Sequence, residues 1–385
     1  MKEAGTTRQT TRYWIVAIGI IVLAACRSGS AANANVPIEP TATPPTRSAD
    51  SAPTELLQAL RQMQLDKYIG IKPSRQEPIK QSNWTIYHYD PADCQCLLGD
   101  EYGVLARPGT ESDKTVFWMD GGGACWPGQE ECSTRVVLSP GVVEYGLASL
   151  DPRNPLREWN FVHVPYCDGS AHMGDNDADY DCDGQIDHHH WGLRTTSAAV
   201  TLMKDLFPQS QKILIVGCSA GGYGTLLTTP VVRLQFPEAQ LYVVNQSGPG
   251  LSDPAKPETR QLILKTWNLE PFLPADCPEC RAQLIHLFPW LLARDPKLKI
   301  GMFSSYQDSV ISQSYLQMTP QAFQSLLMST TDEIRAKFPD TFKRYFIKGS
   351  SHCVSNYYFG LSDISLRDWI EDLVTDSPDW QDVLE

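Results

Sequence analysis

The chain has 385 residues, 42% of them hydrophobic and 10% aromatic, which is enough apolar material for one large domain core or a domain with a sizeable insertion. Its formal charge of −13 excludes the basic surface that binding to a phosphate backbone requires, so no nucleic-acid partner is expected. No internal repeat is evident, so a solenoid is not expected either.

Lys2, Arg8 and Arg12 precede an apolar run from Tyr13 to Ala25 that ends in Leu23-Ala24-Ala25-Cys26. A basic start, a short apolar core and small residues at the cut read as an export signal over 1–25. The run is shorter than the about 20 residues a membrane helix needs. Leu-Ala-Ala-Cys also resembles the lipobox of bacterial lipoproteins, which implies cleavage before Cys26, lipidation of its thiol and a membrane anchor in the cell envelope. An ordinary signal peptide with an incidental cysteine is the plainer alternative. Cleavage there removes a net +2 and leaves the mature chain at −15. Residues 26–54 are Ser, Ala, Asn, Pro and Thr with hardly an aliphatic side chain, so they read as a disordered tether, and the folded domain is expected over 55–385.

Within that domain, the spacing predicts a short amphipathic helix at Leu56–Leu65 and strands at Trp84–Tyr89, Tyr102–Ala106 and Thr115–Met119. The last of these runs into Asp120-Gly121-Gly122-Gly123-Ala124-Cys125, a loop whose amides can approach a ligand closely. Asn160–Tyr166 reads as a further strand, and Leu193–Leu206 as a helix. Then comes Ile213-Leu-Ile-Val-Gly217-Cys218-Ser219-Ala220-Gly221-Gly222: four apolar residues as in a buried parallel strand, then Gly-x-Ser-x-Gly, then a helix-compatible segment from Thr225 to Leu234. Strand, tight turn and helix in that order are the context of a nucleophile elbow. Gly217 and Gly221 are expected to let the backbone take unusual dihedrals there. Gln240–Asn245, Leu298–Ser304 and Phe342–Ile347 read as strands, and Pro320–Phe338 and Ile364–Val374 as helices. Residues 248–297 hold two helical stretches, Glu258–Leu269 and Arg281–Ala293, read as a cap. Strands alternating with helices predict an α/β-hydrolase-like fold, a mainly parallel sheet with helices on both faces and a helical cap insertion.

A serine hydroxyl is a weak nucleophile until a base takes its proton, and the base needs an orienting acid. In this fold class the acid and the histidine follow the serine on loops after later strands. Asp308 follows the strand at Leu298–Ser304, and His352 follows the strand at Phe342–Ile347. Of the eight histidines His352 alone lies downstream of both Ser219 and Asp308, whereas Asp332 and Asp340 compete for the acid role. The amides of Gly122 or Gly123, with that of Ala220, are then the expected oxyanion hole.

Setting Cys26 aside, ten cysteines remain, an even number that suggests disulfides in an exported protein. Zinc is the competing reading for Cys277-Pro-Glu-Cys280, although no second such pair is near.

Asp-Gly-Gly-Gly-Ala-Cys (120–125), Tyr-Cys-Asp-Gly-Ser (166–170), Gly-Cys-Ser-Ala-Gly-Gly (217–222), Tyr-Gln-Asp-Ser (306–309) and His-Cys (352–353) stand in an order and spacing that resemble the pectin acetylesterase/Notum family over roughly Asp93 to Val374. The resemblance implies a serine carboxylesterase with the triad Ser219, Asp308 and His352 and an oxyanion hole at Gly122, Gly123 and Ala220. It also implies disulfides Cys125–Cys132 and Cys96–Cys167. Cys218 and Cys353, which flank serine and histidine, are a further possible pair.

Within an acidic insertion at 175–190, Asp179-Tyr-Asp181-Cys-Asp183-Gly-Gln185-Ile-Asp187 matches the first nine positions of a calcium loop, with Gln185 ligating through its carbonyl. Position 12, normally glutamate, is His190. A structural calcium ion is therefore the expected cofactor, with none expected for catalysis; a plain solvated loop or a transition-metal site at His188–His190 are the alternatives. The combined reading is an extracytoplasmic, lipid-anchored esterase that removes acetyl groups from an acetylated polysaccharide or another acyl ester. A Notum-type lipid or protein deacylase and a non-catalytic glycan-binding lipoprotein are the rival classes.

Overall fold

The computed structural model describes residues 52–129, 132–136, 146–353 and 365–385. The export signal, Cys26 and nearly all of the tether lie outside the described residues. Among those described, no helix is long and apolar enough to cross a membrane.

The strands are β1 (Arg75–Pro78), β2 (Thr85–His88), β3 (Gly103–Arg107), β4 (Glu111–Met119), β5 (Trp159–Val164), β6 (Asn176–Ala178), β7 (His188–His190), β8 (Lys212–Cys218), β9 (Gln240–Gln246), β10 (Leu298–Ser305), β11 (Phe342–Ile347) and β12 (Val383–Leu384). The helices are α1 (Ala52–Gln62), α2 (Gly192–Leu206), α3 (Ala220–Gln235), α4 (Pro257–Thr266), α5 (Pro278–Ala282), α6 (Leu287–Leu292), α7 (Pro320–Lys337) and α8 (Leu366–Val374). Ten strands form one sheet in the order β1-β2-β3-β5-β4-β8-β9-β10-β11-β12, while β6 and β7 pair separately as a hairpin. From β5 to β12 every pairing is parallel, and β1, β2 and β3 add an antiparallel edge.

Both faces of the central strands are covered, which is why they read as continuous apolar runs. On β8, Ile213 and Ile215 enter the larger core with α1, α2, α3, α6 and α7. Leu214 and Val216 point the other way, into a smaller core with Trp84, Trp159 and α8. Helices do cover both faces, but unevenly. On the second face, among the described residues, α8 is the one α-helix, and tryptophans and other large side chains from loops and strands supply the remaining bulk.

The region expected as a two-helix cap differs in its second half, where α5, a 3-10 turn and α6 replace one continuous helix. Gln283 interrupts it in an extended conformation because its side-chain amide clamps Ser252, accepting from Ser252 N at 2.6 Å and donating to Ser252 O at 2.8 Å. α6 then buries Leu287, Phe288 and Leu291 in the main core, so it belongs to the body of the domain.

Among the described residues, disulfides join Cys96–Cys167, Cys125–Cys132, Cys218–Cys353 and Cys277–Cys280. The last one consumes both thiols of the Cys-x-x-Cys pair and removes the zinc reading. Cys94 departs from the expected pairing of all ten: it is a buried free thiol whose pKa desolvation pushes far up, which leaves it protonated and inert.

Candidate active site

Ser219 sits where β8 ends and α3 begins, with α3 starting at Ala220 directly after it. The helix expected from Thr225 thus begins five residues earlier and takes in the glycines at 221, 222 and 224. They are the condition for α3 to pack where it does. A Cβ on Gly221 would lie 2.2 Å from Met119 O, and one on Gly222 would lie 2.6 Å from Gln246 O. Gly217 is needed for the same reason, since its Cβ would lie 2.2 Å from Gly221 O. Neither Gly217 nor Gly221 has a positive φ, contrary to expectation. The strained dihedrals fall on Ser219 itself, at φ 57° and ψ −119°. A non-glycine residue held there costs on the order of 1–3 kcal/mol and persists only where its surroundings enforce it.

The glycine loop after β4 presses against this turn. A Cβ on Gly121 would lie 2.8 Å from Cys218 O and 3.0 Å from the Ser219 Cβ. Behind the loop, Asp120 pairs with the buried His163 at 2.8 Å, and His172 Nε2 donates to Asp120 O at 2.9 Å. Gly123 N donates to Ser133 Oγ at 3.3 Å, a long bond that leaves the amide able to exchange partners.

Asp308 lies after β10 and is fully buried. Its Oδ1 accepts the amides of Val310 and Ile311 at 3.1 Å each, where the chain turns into a π-helix at Val310–Tyr315. His352, on the loop after β11, directs Nδ1 at the same carboxylate, 2.8 Å from Oδ2 and 3.0 Å from Oδ1. Because a carboxylate here offers only acceptors, Nδ1 carries the hydrogen and Nε2 keeps a lone pair. The rival acids are excluded by position: Asp332 is exposed and pairs with Arg344, and Asp340 is exposed.

Ser219, Ala220, Gly122, Gly123 and His352 all line one cavity of about 430 Å³, closed on another side by Tyr223 and Tyr315. No hydrogen bond joins Ser219 to His352 among the described residues; such bonds commonly tighten only when substrate is bound. Val310, Ile311 and Tyr315 were not legible as site residues, because nothing near them in the sequence marks the π-helix that holds them, while Tyr223 reaches the cavity from the start of α3, four residues after Ser219. Tyr223 and Tyr315 also line a second, mostly apolar recess of about 110 Å³ with Trp126 and Trp267. Trp126 is buried and meets Trp267 and Tyr315 edge to face.

The acidic insertion forms a separate cluster. Carboxylate oxygens of Asp179, Asp181 and Asp187 lie within 4.8 Å of one another. Oδ1 of Asp179 is buried and without a partner, and Gly184 takes the expected left-handed turn at φ 90°. Asp183 is not in this group; its oxygens accept from the backbone and side-chain amides of Gln185. His190, at the twelfth position, is buried and stands outside this group. Its ring hydrogen bonds to Tyr180 OH and Asp168 O, and burial lowers its pKa to about 4.

A mostly parallel sheet with a strained serine, a glycine loop and a carboxylate-held histidine at the carboxyl ends of its strands defines an α/β-hydrolase-like protein. Comparison with known proteins gives the family. The chain belongs to the pectinacetylesterase family, whose sequence model matches residues 76–318, a span that includes Ser219 and Asp308 and ends before His352. Pectin acetylesterase 4 of Arabidopsis thaliana is 28% identical over 166 residues, 40% of each chain. Pectin acetylesterase 5 of the same plant is 27% identical over 191 residues, 46% of this chain and 44% of that one. The chain thus aligns with less than half the length of these relatives. Among solved structures, the Wnt deacylase Notum from Drosophila superposes with a TM-score of 0.52 at 17% identity, covering 76% of this chain and 93% of that one.

Proposed function

We propose that the protein is a serine carboxylesterase that removes acetyl or other short acyl groups from an acetylated polysaccharide. The observation that carries this reading is the single cavity shared by Ser219, His352, Gly122, Gly123 and Ala220, with Asp308 holding the far side of the imidazole.

In this reading His352 Nε2 takes the proton from Ser219 Oγ as that oxygen attacks the ester carbonyl. The amides of Gly122, Gly123 and Ala220 receive the negative charge that develops on the carbonyl oxygen. Asp308 holds the imidazolium, which gives its proton to the departing sugar hydroxyl. Water then repeats the sequence on the acyl-enzyme and releases the acid. Kinship with proteins named pectin acetylesterases supports acetyl as the group and a polysaccharide as the acceptor. The formal charge of −13 works against a polyanionic acceptor, so a neutral acetylated glycan belongs in the same substrate class.

The apolar recess beside the cavity favours a second reading, in which a longer acyl chain is removed. A nitrophenyl ester series separates the two: turnover falling from C2 to C8 supports acetyl removal, and turnover rising along the series supports lipid deacylation. Acetate release from defined acetylated polysaccharides tests the acceptor, and release from none of them rejects the polysaccharide reading.

The disulfides among the described residues support an oxidising, extracytoplasmic location, which fits the export signal and lipid anchor proposed at Cys26. Calcium held by the aspartate loop is the structural ion of this reading; the convergence of Asp179, Asp181 and Asp187 and the unpartnered Asp179 oxygen support it.

A further inference from the structure

His352 occupies an exposed loop, since Lys348 to Ser351 are all exposed. On its acid side this loop is tied down repeatedly. Ser305 Oγ donates to Ser351 O at 2.6 Å, Ser309 N donates to Ser350 O at 3.1 Å, and Gln307 N donates to Gly349 O at 3.1 Å. The base and its acid are therefore fixed to each other through the β10 and β11 loops.

The nucleophile side is held differently. No hydrogen bond joins His352 to Ser219 among the described residues, and the residues that flank them carry the connection. Cys218 immediately precedes Ser219, Cys353 immediately follows His352, and the two are disulfide-bonded across 135 residues of sequence with their Cα atoms 5.8 Å apart. The end of β9 supports both halves. Gln246 O accepts Ser219 N at 2.9 Å, while Ser247 Oγ accepts Cys353 N at 3.3 Å. Cys353 has φ 45°, and Ser219, next to Cys218, has φ 57°, so positive-φ backbone lies at one end of the link and beside the other, where the surroundings must enforce it.

We propose that the Cys218–Cys353 disulfide is a positioning element for the reaction: it sets the distance between His352 Nε2 and Ser219 Oγ. This rests on the assignment of Ser219 as nucleophile and His352 as base. Proton transfer between Ser219 and His352, which share no hydrogen bond among the described residues, needs them held to within a fraction of an ångström, and a 1 Å error costs on the order of 100-fold in rate. A covalent link one residue away from each reacting group, itself part of the cavity wall, supplies that restraint. It also keeps the Cys353 sulfur, 3.4 Å from Nε2, from offering a thiol proton to the base.

The test compares Cys218→Ser/Cys353→Ser with Cys277→Ser/Cys280→Ser, which removes a disulfide in a different part of the chain. Nitrophenyl acetate turnover, the rate of serine labelling by a fluorophosphonate and the melting temperature are measured for each, with wild type and Ser219→Ala alongside. The expected result is a fall of about 10- to 100-fold in kcat and labelling rate for the first pair, with KM within about twofold. The second pair should keep its rates while melting lower. Equal loss of rate in both pairs, or unchanged rates in the first, overturns the positioning role. If the serine pair does not fold, Cys218→Val/Cys353→Ala retains the packing without the bond; failure of both to fold assigns the bond to folding and overturns the inference. Absence of wild-type labelling at Ser219 instead rejects the nucleophile assignment itself.

Discussion

Asp308 and His352 stand 44 residues apart, yet both carboxylate oxygens lie within 3.0 Å of one imidazole nitrogen. The carboxylate is buried, and the amides of Val310 and Ile311 fix its rotation independently of the histidine. It therefore sets both the orientation and the tautomer of the ring. Asp308→Asn retains the shape but presents an amide to Nδ1, which stabilises the wrong tautomer. The expected outcome is a drop in kcat on the order of 10³- to 10⁴-fold with little change in KM, measured by steady-state ester hydrolysis. A loss of less than tenfold would mean that Asp308 does not orient the base.

Gly221 sits against backbone, which cannot move aside as a flexible side chain can. Gly221→Ala should cost about 1–3 kcal/mol of stability as overpacking, read from the urea midpoint, and should displace Ser219 enough to abolish turnover. An alanine variant with wild-type stability and turnover would show that α3 does not approach β4 as closely as described.

His190 makes the stability depend on pH with a definite sign. Its folded pKa is about 4, lowered chiefly by burial, against about 6.5 in an unfolded chain. Between those values the unfolded chain binds a proton that the folded chain refuses, so stability falls as pH drops from about 6.5 towards 4. His190→Gln removes this contribution, and its melting temperature should decline less steeply than wild type over that window. Parallel curves would indicate that the ring is not held neutral.

The aspartate loop gives a ligand prediction. Calcium at about 100 times its dissociation constant should stabilise the fold by about 2.7 kcal/mol, and a chelator should reverse the gain. Asp179→Asn with Asp187→Asn should abolish both the stabilisation and the calorimetric heat of binding. Wild-type protein whose melting is unmoved by millimolar calcium would leave the cluster as a solvated acidic loop.

What could be read from the sequence follows from where the physical signal was strong. The buried parallel strands announced themselves as apolar runs, and β11 falls at the predicted Phe342–Ile347. β1 did not, because Arg75–Pro78 is exposed throughout and carries no apolar pattern; it is a strand only because β2 offers it hydrogen bonds. The β6–β7 hairpin is likewise polar, with His189 and Trp191 both bonding Asp177 in place of an apolar face. Ser219, Asp308 and His352 could be proposed from the sequence because the α/β-hydrolase layout, rather than the chemistry, sets the order serine, acid, histidine along the chain. The π-helix that carries Tyr315 into the cavity has no comparable signature, and the break at Gln283 depends on a contact with Ser252, 31 residues away.

The central claim is that Ser219 is an activated nucleophile, and active-site labelling tests it most directly. Wild-type protein is incubated with a fluorophosphonate, and the modified peptide is identified by mass spectrometry. The account predicts a single adduct on Ser219, formed far more slowly in His352→Ala and absent in Ser219→Ala. A label on another residue, or labelling of Ser219 at the same rate without His352, would contradict it.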